Sequence, residues 1–144
     1  MRYIFSLLIL LSSISALQAQ DISGHWKGRI TQNEGGYRSE YILEMWFVQK
    51  GDSITGKSYV FVDNIYAEMN ISGSVEGEIY LILKDDEIVS HEVLKGMEWC
   101  IKKYQLLIRR NGDTISLEGD WQGKTSFSTC IPGKIFLRKI VPRA

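Results

Sequence analysis

The chain has 144 residues, with 17 basic and 17 acidic side chains, no formal net charge, and 11% aromatic residues. That balance argues against nucleic-acid binding, which depends on a surplus of Lys and Arg to displace the counterions of phosphate. The thirteen glycines and two prolines form no low-complexity stretch or linker, so one domain is expected.

Arg2, the apolar run Tyr3 to Leu11 and the small or polar residues ending in Leu17-Gln18-Ala19 read as a secretory signal peptide with cleavage after Ala19. The apolar run is too short for a permanent transmembrane anchor. The expectation is a signal peptide over 1–19 and a single domain over 20–144, exported to the periplasm or secreted, with no stable membrane anchor. Loss of Arg2 leaves the mature chain a net charge of about −1.

The mature sequence alternates with period two almost throughout. In residues 22–32, Ile22, Gly24, Trp26, Gly28 and Ile30 share one face, and Ser23, His25, Lys27, Arg29 and Thr31 the other. Residues 38–50 and 53–63 flank the turn signal Lys50-Gly51-Asp52-Ser53 and predict a hairpin. Residues 66–75 alternate again, Glu76-Gly77 marks a turn, and 77–84 form a fifth strand. The stretch from Asp85 to Glu98 is polar enough to predict a long loop with room for one helical turn.

Residues 99–110 and 114–123 flank Asn111-Gly112-Asp113, where Asn-Gly favours a type I′ turn. In the second of these, Ile115, Leu117, Gly119, Trp121 and Gly123 share a face, so that Gly119-Asp120-Trp121-Gln122-Gly123 repeats the pattern of Gly24-His25-Trp26-Lys27-Gly28. After a second long loop, Lys124 to Pro132, residues 133–140 make the eighth strand. The fold expected is all-β: an eight-stranded antiparallel meander closing into a small barrel, since closure removes the exposed edges. A flat sandwich is the alternative. Glycines 28, 56, 73 and 119 fall inside strands, as sharp bending at barrel corners requires.

Cys100 and Cys130 in an exported chain predict one disulfide. Closing a loop of this length contributes about 3 to 4 kcal/mol in the chain-entropy model. A metal site is the weaker reading, because the cysteines and the two histidines, His25 and His91, match no zinc spacing. No cofactor is expected.

The segment Asp21-Ile22-Ser23-Gly24-His25-Trp26-Lys27-Gly28 resembles the opening Gly-x-Trp strand of the calycin barrels, which comprise lipocalins, fatty-acid-binding proteins and avidins. Gln49 to Gly56 is similar to hairpins of exported bacterial lipocalin-like proteins of unassigned function. The resemblance implies that the barrel is lipocalin-like and that Trp26 has a structural role, packed across one end of it. It implies no ligand, since the Thr-Asp-Tyr lipocalin motif is absent and the avidin biotin set cannot be mapped.

Phosphate loops, nucleophile elbows and zinc-protease motifs are missing. Glu118 and Asp120 share one strand face at a separation near that of glycosidase carboxylates, which makes hydrolysis a distant third reading. The basic doublets Lys102-Lys103, Arg109-Arg110 and Arg138-Lys139 read as solvated rim. The aromatic supply carries the leading expectation. Trp26 and Trp121 serve structure, while Trp46, Tyr59, Tyr66, Trp99 and Tyr104, with Leu94 and Met97 from the first long loop, are the candidates for ligand binding. The function expected is non-enzymatic capture of a small apolar or amphipathic molecule. The alternative is a protein-interaction or inhibitor module with a filled core and loop-based contacts. An interior pocket above ~300 Å³ would favour the first.

Overall fold

The computed structural model describes residues 21–142; the signal-peptide reading of 1–19 lies outside the described residues. Eight strands follow one another: β1 (Gly24–Thr31), β2 (Glu40–Lys50), β3 (Ser53–Val62), β4 (Ile65–Glu76), β5 (Tyr80–His91), β6 (Ile101–Asn111), β7 (Thr114–Lys124) and β8 (Gly133–Lys139). Each pairs antiparallel with the next, and β8 pairs with β1, so the meander closes into a barrel. The sandwich alternative is thereby excluded.

Alternation decides which side chains fill the barrel. Trp26 and Ile30 of β1, Leu43, Met45 and Phe47 of β2, Met69 and Ile71 of β4, Leu81 and Leu83 of β5, Leu106 of β6 and Leu117 of β7 are all buried in one cluster. Inward glycines let neighbouring backbones approach: a Cβ at Gly28 would collide with the carbonyl of Phe136, and one at Gly119 with that of Gln105. The two Gly-x-Trp-x-Gly strands are not neighbours; both flank β8, with Gly28 opposite Leu137 and Gly119 opposite Ile135.

The two ends of the barrel differ. At one end sit the tight connections 51–52, 77–79 and 112–113, and residues 21–23 tuck beneath it. There Ile22 is fully buried, its amide bonds Gln49 Oε1 at 2.8 Å, and its carbonyl accepts the indole N–H of Trp26 at 2.9 Å. This end is plugged. The 112–113 turn is a correction in detail: Asn111 pairs with Thr114, leaving Gly112-Asp113 as the loop, and only the glycine has positive φ. That is the glycine-first pattern of a type II′ turn, not the Asn-Gly type I′ expected.

A larger correction concerns Asp85 to Glu98. No loop begins at Asp85; β5 continues to His91, paired with β4 through two register shifts. Pairing of β5 with β6, by contrast, covers only Tyr80 to Lys84. The charged run misled because Asp86 and Glu87 face outward, toward Ser72 and Asn70, whereas Asp85 turns into the barrel.

His25, on the outer face beside Trp26, stacks on Trp46 and bonds Glu44 at 3.3 Å. Trp26→Ala should cost about 3 to 5 kcal/mol, because it empties the plugged end. His25→Ala should cost less than about 1 kcal/mol, because its partners are partly solvated. Urea midpoints at constant slope measure both, and equal shifts would mean that Trp26 does not hold the closed end.

Candidate functional site

The other end of the barrel carries the three long connections, 32–39, 92–100 and 125–132. They are tied to one another. The disulfide Cys100–Cys130 joins the second to the third, and Glu98 accepts hydrogen bonds from the amide and hydroxyl of Ser126 at 2.8 and 2.7 Å. The first joins the third through Asn33 N–H to Pro132 C=O, 2.9 Å, and Gln32 Nε2 to Ile131 C=O, 3.1 Å. Two loops expected to converge do so, and the connection 32–39 completes the rim.

Under this rim lies a pocket of about 210 Å³. Ile30, Val60, Val62, Ile65, Trp99 and Trp121 form apolar walls, with Tyr37, Tyr41, Met97, Ile131 and the disulfide nearer the opening. Most polar atoms of the lining are already engaged. The indole of Trp121 donates to Thr31 C=O at 2.7 Å, that of Trp99 to Glu92 C=O at 2.9 Å, and the Tyr41 hydroxyl to Gln32 Oε1 at 2.6 Å. A larger concavity of about 660 Å³ lies on the outer face of β4 to β8, but Lys84, Lys103, Asp120, Gln122 and Lys134 make it a hydrophilic surface. It lacks the apolar walls a small-molecule site needs.

The inner boundary of the mouth pocket is polar. Lys102 lines it with its side chain only 4% exposed, and its ammonium lies 2.9 Å from Asp85 Oδ2, whose side chain is wholly buried. The same carboxylate oxygen accepts the backbone N–H of Lys102 at 2.8 Å, and Oδ1 accepts the hydroxyl of Tyr104 at 2.8 Å. Lys102 Nζ also donates to Cys100 C=O at 2.9 Å. Asp85 thus takes over where the β5–β6 ladder stops, satisfying an amide that would otherwise be buried without a partner. The buried Ser58 hydroxyl lies against the Tyr104 phenol and acts to hold its pKa down. Burial, and after it the Asp85 carboxylate, pushes that phenol well above its ordinary value.

The expected ligand residues divide. Trp99 and Met97 line the pocket. Tyr104 lies below it in the core, hydrogen-bonded to Asp85. Leu94 is 49% exposed and outside the lining. Trp46, Tyr59 and Tyr66 occupy the outer face: Trp46 against His25, Tyr59 hydrogen-bonded to Glu68, and Tyr66 to Ser90. The reason is parity. Trp46 alternates with the inward Met45 and Phe47, and Tyr59 with the inward Ser58 and Val60. Trp121, expected to serve structure, is also a pocket wall.

Glu118 and Asp120 are matched separately, by Arg109 at 3.1 Å and by Lys134, on the exposed outer face. Among the described residues no three His, Cys, Asp or Glu side chains come together. Comparison with family models, curated proteins and solved structures returns no match, so the site rests on its own geometry.

Sequence reasoning missed Lys102 and Asp85. A signal existed for the first, because Lys102 shares the parity of Tyr104, Leu106 and Ile108, all inward.

Removing one partner of this buried pair should be costly. Lys102→Met alone leaves a dry carboxylate and should lose about 3 to 5 kcal/mol, while Asp85→Asn/Lys102→Met should recover most of it. Urea denaturation of the single and double variants tests the coupling. Equal losses in the two would deny it.

Tyr104 predicts a pH dependence. Below about pH 10 the phenol is protonated in both folded and unfolded chains, and its contribution is complete; above that, only the unfolded chain ionises, so stability falls as pH rises. Tyr104→Phe should reduce the alkaline slope of the unfolding free energy by one proton, read from urea midpoints between pH 9 and 11. An unchanged slope would mean that the phenol titrates normally.

Proposed function

We propose that the protein is an exported, non-enzymatic, lipocalin-like barrel, periplasmic or secreted, that captures a small apolar or amphipathic molecule in the pocket at its open mouth. The observation that carries this reading is the contrast between the ends of one barrel: one is plugged by Ile22 and Trp26, the other holds about 210 Å³ between Ile30, Val60, Val62, Ile65, Trp99 and Trp121. Export is supported by the signal-like residues 1–19 and by the disulfide, which suits an oxidising compartment.

At about 210 Å³ the pocket does not reach the ~300 Å³ that would favour capture over loop contacts, but it exceeds a ~150 Å³ cavity that holds benzene. The ligand is therefore small, on the order of ten non-hydrogen atoms by that comparison. Trp99 and Trp121 supply large rigid apolar faces for it at little entropic cost. A second reading, a loop-based contact with a protein partner, draws on Phe127, which projects 74% exposed from the connection 125–132.

Isopropylbenzene, which is of suitable size, tests the pocket. It should raise the thermal midpoint of the wild type, and Met97→Ser should weaken its binding several-fold by calorimetry while Leu94→Ser leaves it unchanged. Val62→Phe, which fills the pocket, should abolish binding, and Phe127→Ser should have no effect. Absence of binding to the wild type would sink the pocket reading and leave the loop contact as the better one.

A further inference from the structure

The walls of the mouth pocket are apolar, but at its inner end one hydrogen-bond donor is only weakly engaged. Lys102 carries three N–H groups. One meets Asp85 Oδ2 at 2.9 Å and one Cys100 C=O at 2.9 Å, while the third faces only the thioether sulfur of Met69 at 3.8 Å, a poor acceptor. Ser58, opposite Met69 in the β3–β4 register, adds a buried hydroxyl beside Tyr104 to the same layer. A donor held only by a weak acceptor in a dry site is a place where a better acceptor gains, because the ligand oxygen exchanges its lost water for a strong donor in low dielectric.

The charged groups here leave no surplus of positive charge. Asp85 neutralises Lys102, and at the rim Glu98, held ionised by its two bonds from Ser126, also lines the pocket. A carboxylate entering here would meet one ammonium already shared with Asp85 and would pass Glu98 on the way, at the cost of its own hydration. A neutral oxygen meets neither penalty.

We propose that the pocket selects neutral apolar molecules bearing one acceptor oxygen, of the ketone, aldehyde or ester kind, bound oxygen-inward on Lys102 with the apolar body between Val62, Ile65, Trp99 and Trp121. This rests on the pocket reading above. Lys102 is the specificity-determining residue, and Asp85 positions it.

Three probes of similar size separate the possibilities: acetophenone, isopropylbenzene and benzoate. Calorimetry on the wild type should give acetophenone about tenfold tighter binding than isopropylbenzene, with benzoate weakest. In Asp85→Asn/Lys102→Met the ratio of acetophenone to isopropylbenzene affinity should fall to about one. Should the double variant fail to fold, the infrared carbonyl band of acetophenone on the wild type decides: it should move to lower frequency on binding, relative to its position in an alkane solvent. Equal binding of acetophenone and isopropylbenzene, or an unmoved carbonyl band, overturns the donor assignment and leaves the pocket standing. Tightest binding by benzoate overturns the selection for neutral ligands. Failure of all three probes to bind overturns both readings.

Discussion

The Asp85 carboxylate is the constraint on which the open half of the barrel depends. At Lys84 the ladder between β5 and β6 ends, and beyond it the strands diverge to leave room for the connection 92–100. A splayed barrel exposes unpaired amides to a dry interior, each a large cost if left alone. Asp85 spans the gap: it takes the Lys102 amide, the Lys102 ammonium and the Tyr104 hydroxyl on its two oxygens. The barrel opens where a side chain can replace the ladder.

That replacement divides the interior. Below the polar layer the barrel is filled by Met45, Phe47, Ile71, Leu81, Leu83 and Leu106 and closed by Trp26. Above it the walls recede and the three long connections form a rim. The disulfide, the Glu98–Ser126 bonds and the contacts of Gln32 and Asn33 with Ile131 and Pro132 hold that rim together. Rigid walls under tied loops keep a small pocket from collapsing, which is how a site retains affinity without paying for ordering on each encounter. Strand parity keeps the aromatic residues Trp46, Tyr59 and Tyr66 outside the barrel and away from that pocket. They are engaged with His25, Glu68 and Ser90 across neighbouring strands, where such pairs stabilise the sheet.

Much of the architecture could be read from residue order. Alternation around Trp26 and Trp121, turn residues at Gly51-Asp52 and Gly112-Asp113, and eight apolar-polar segments were enough for a closed eight-stranded meander, because strand period and turn chemistry are local properties. The disulfide was also legible, since two cysteines leave one intramolecular pairing. The site was legible only in part. Met97 and Trp99 were assigned to it, but aromatic character was weighed above parity, and parity sends Trp46, Tyr59 and Tyr66 outward.

The sequence by itself determined the strand count, the facing of β1 and β7 and the pairing of the cysteines, because all three follow from neighbours along the chain or from counting. Tertiary structure alone decided that Asp85, inside a run resembling a solvated loop, is buried, and that Lys102, half of a basic doublet, is its partner. Either charge would be untenable in the interior alone. Only the folded barrel, in which the pairing of β5 with β6 brings together two groups 17 positions apart in the chain, supplies each with its counterion and so makes the burial of both possible.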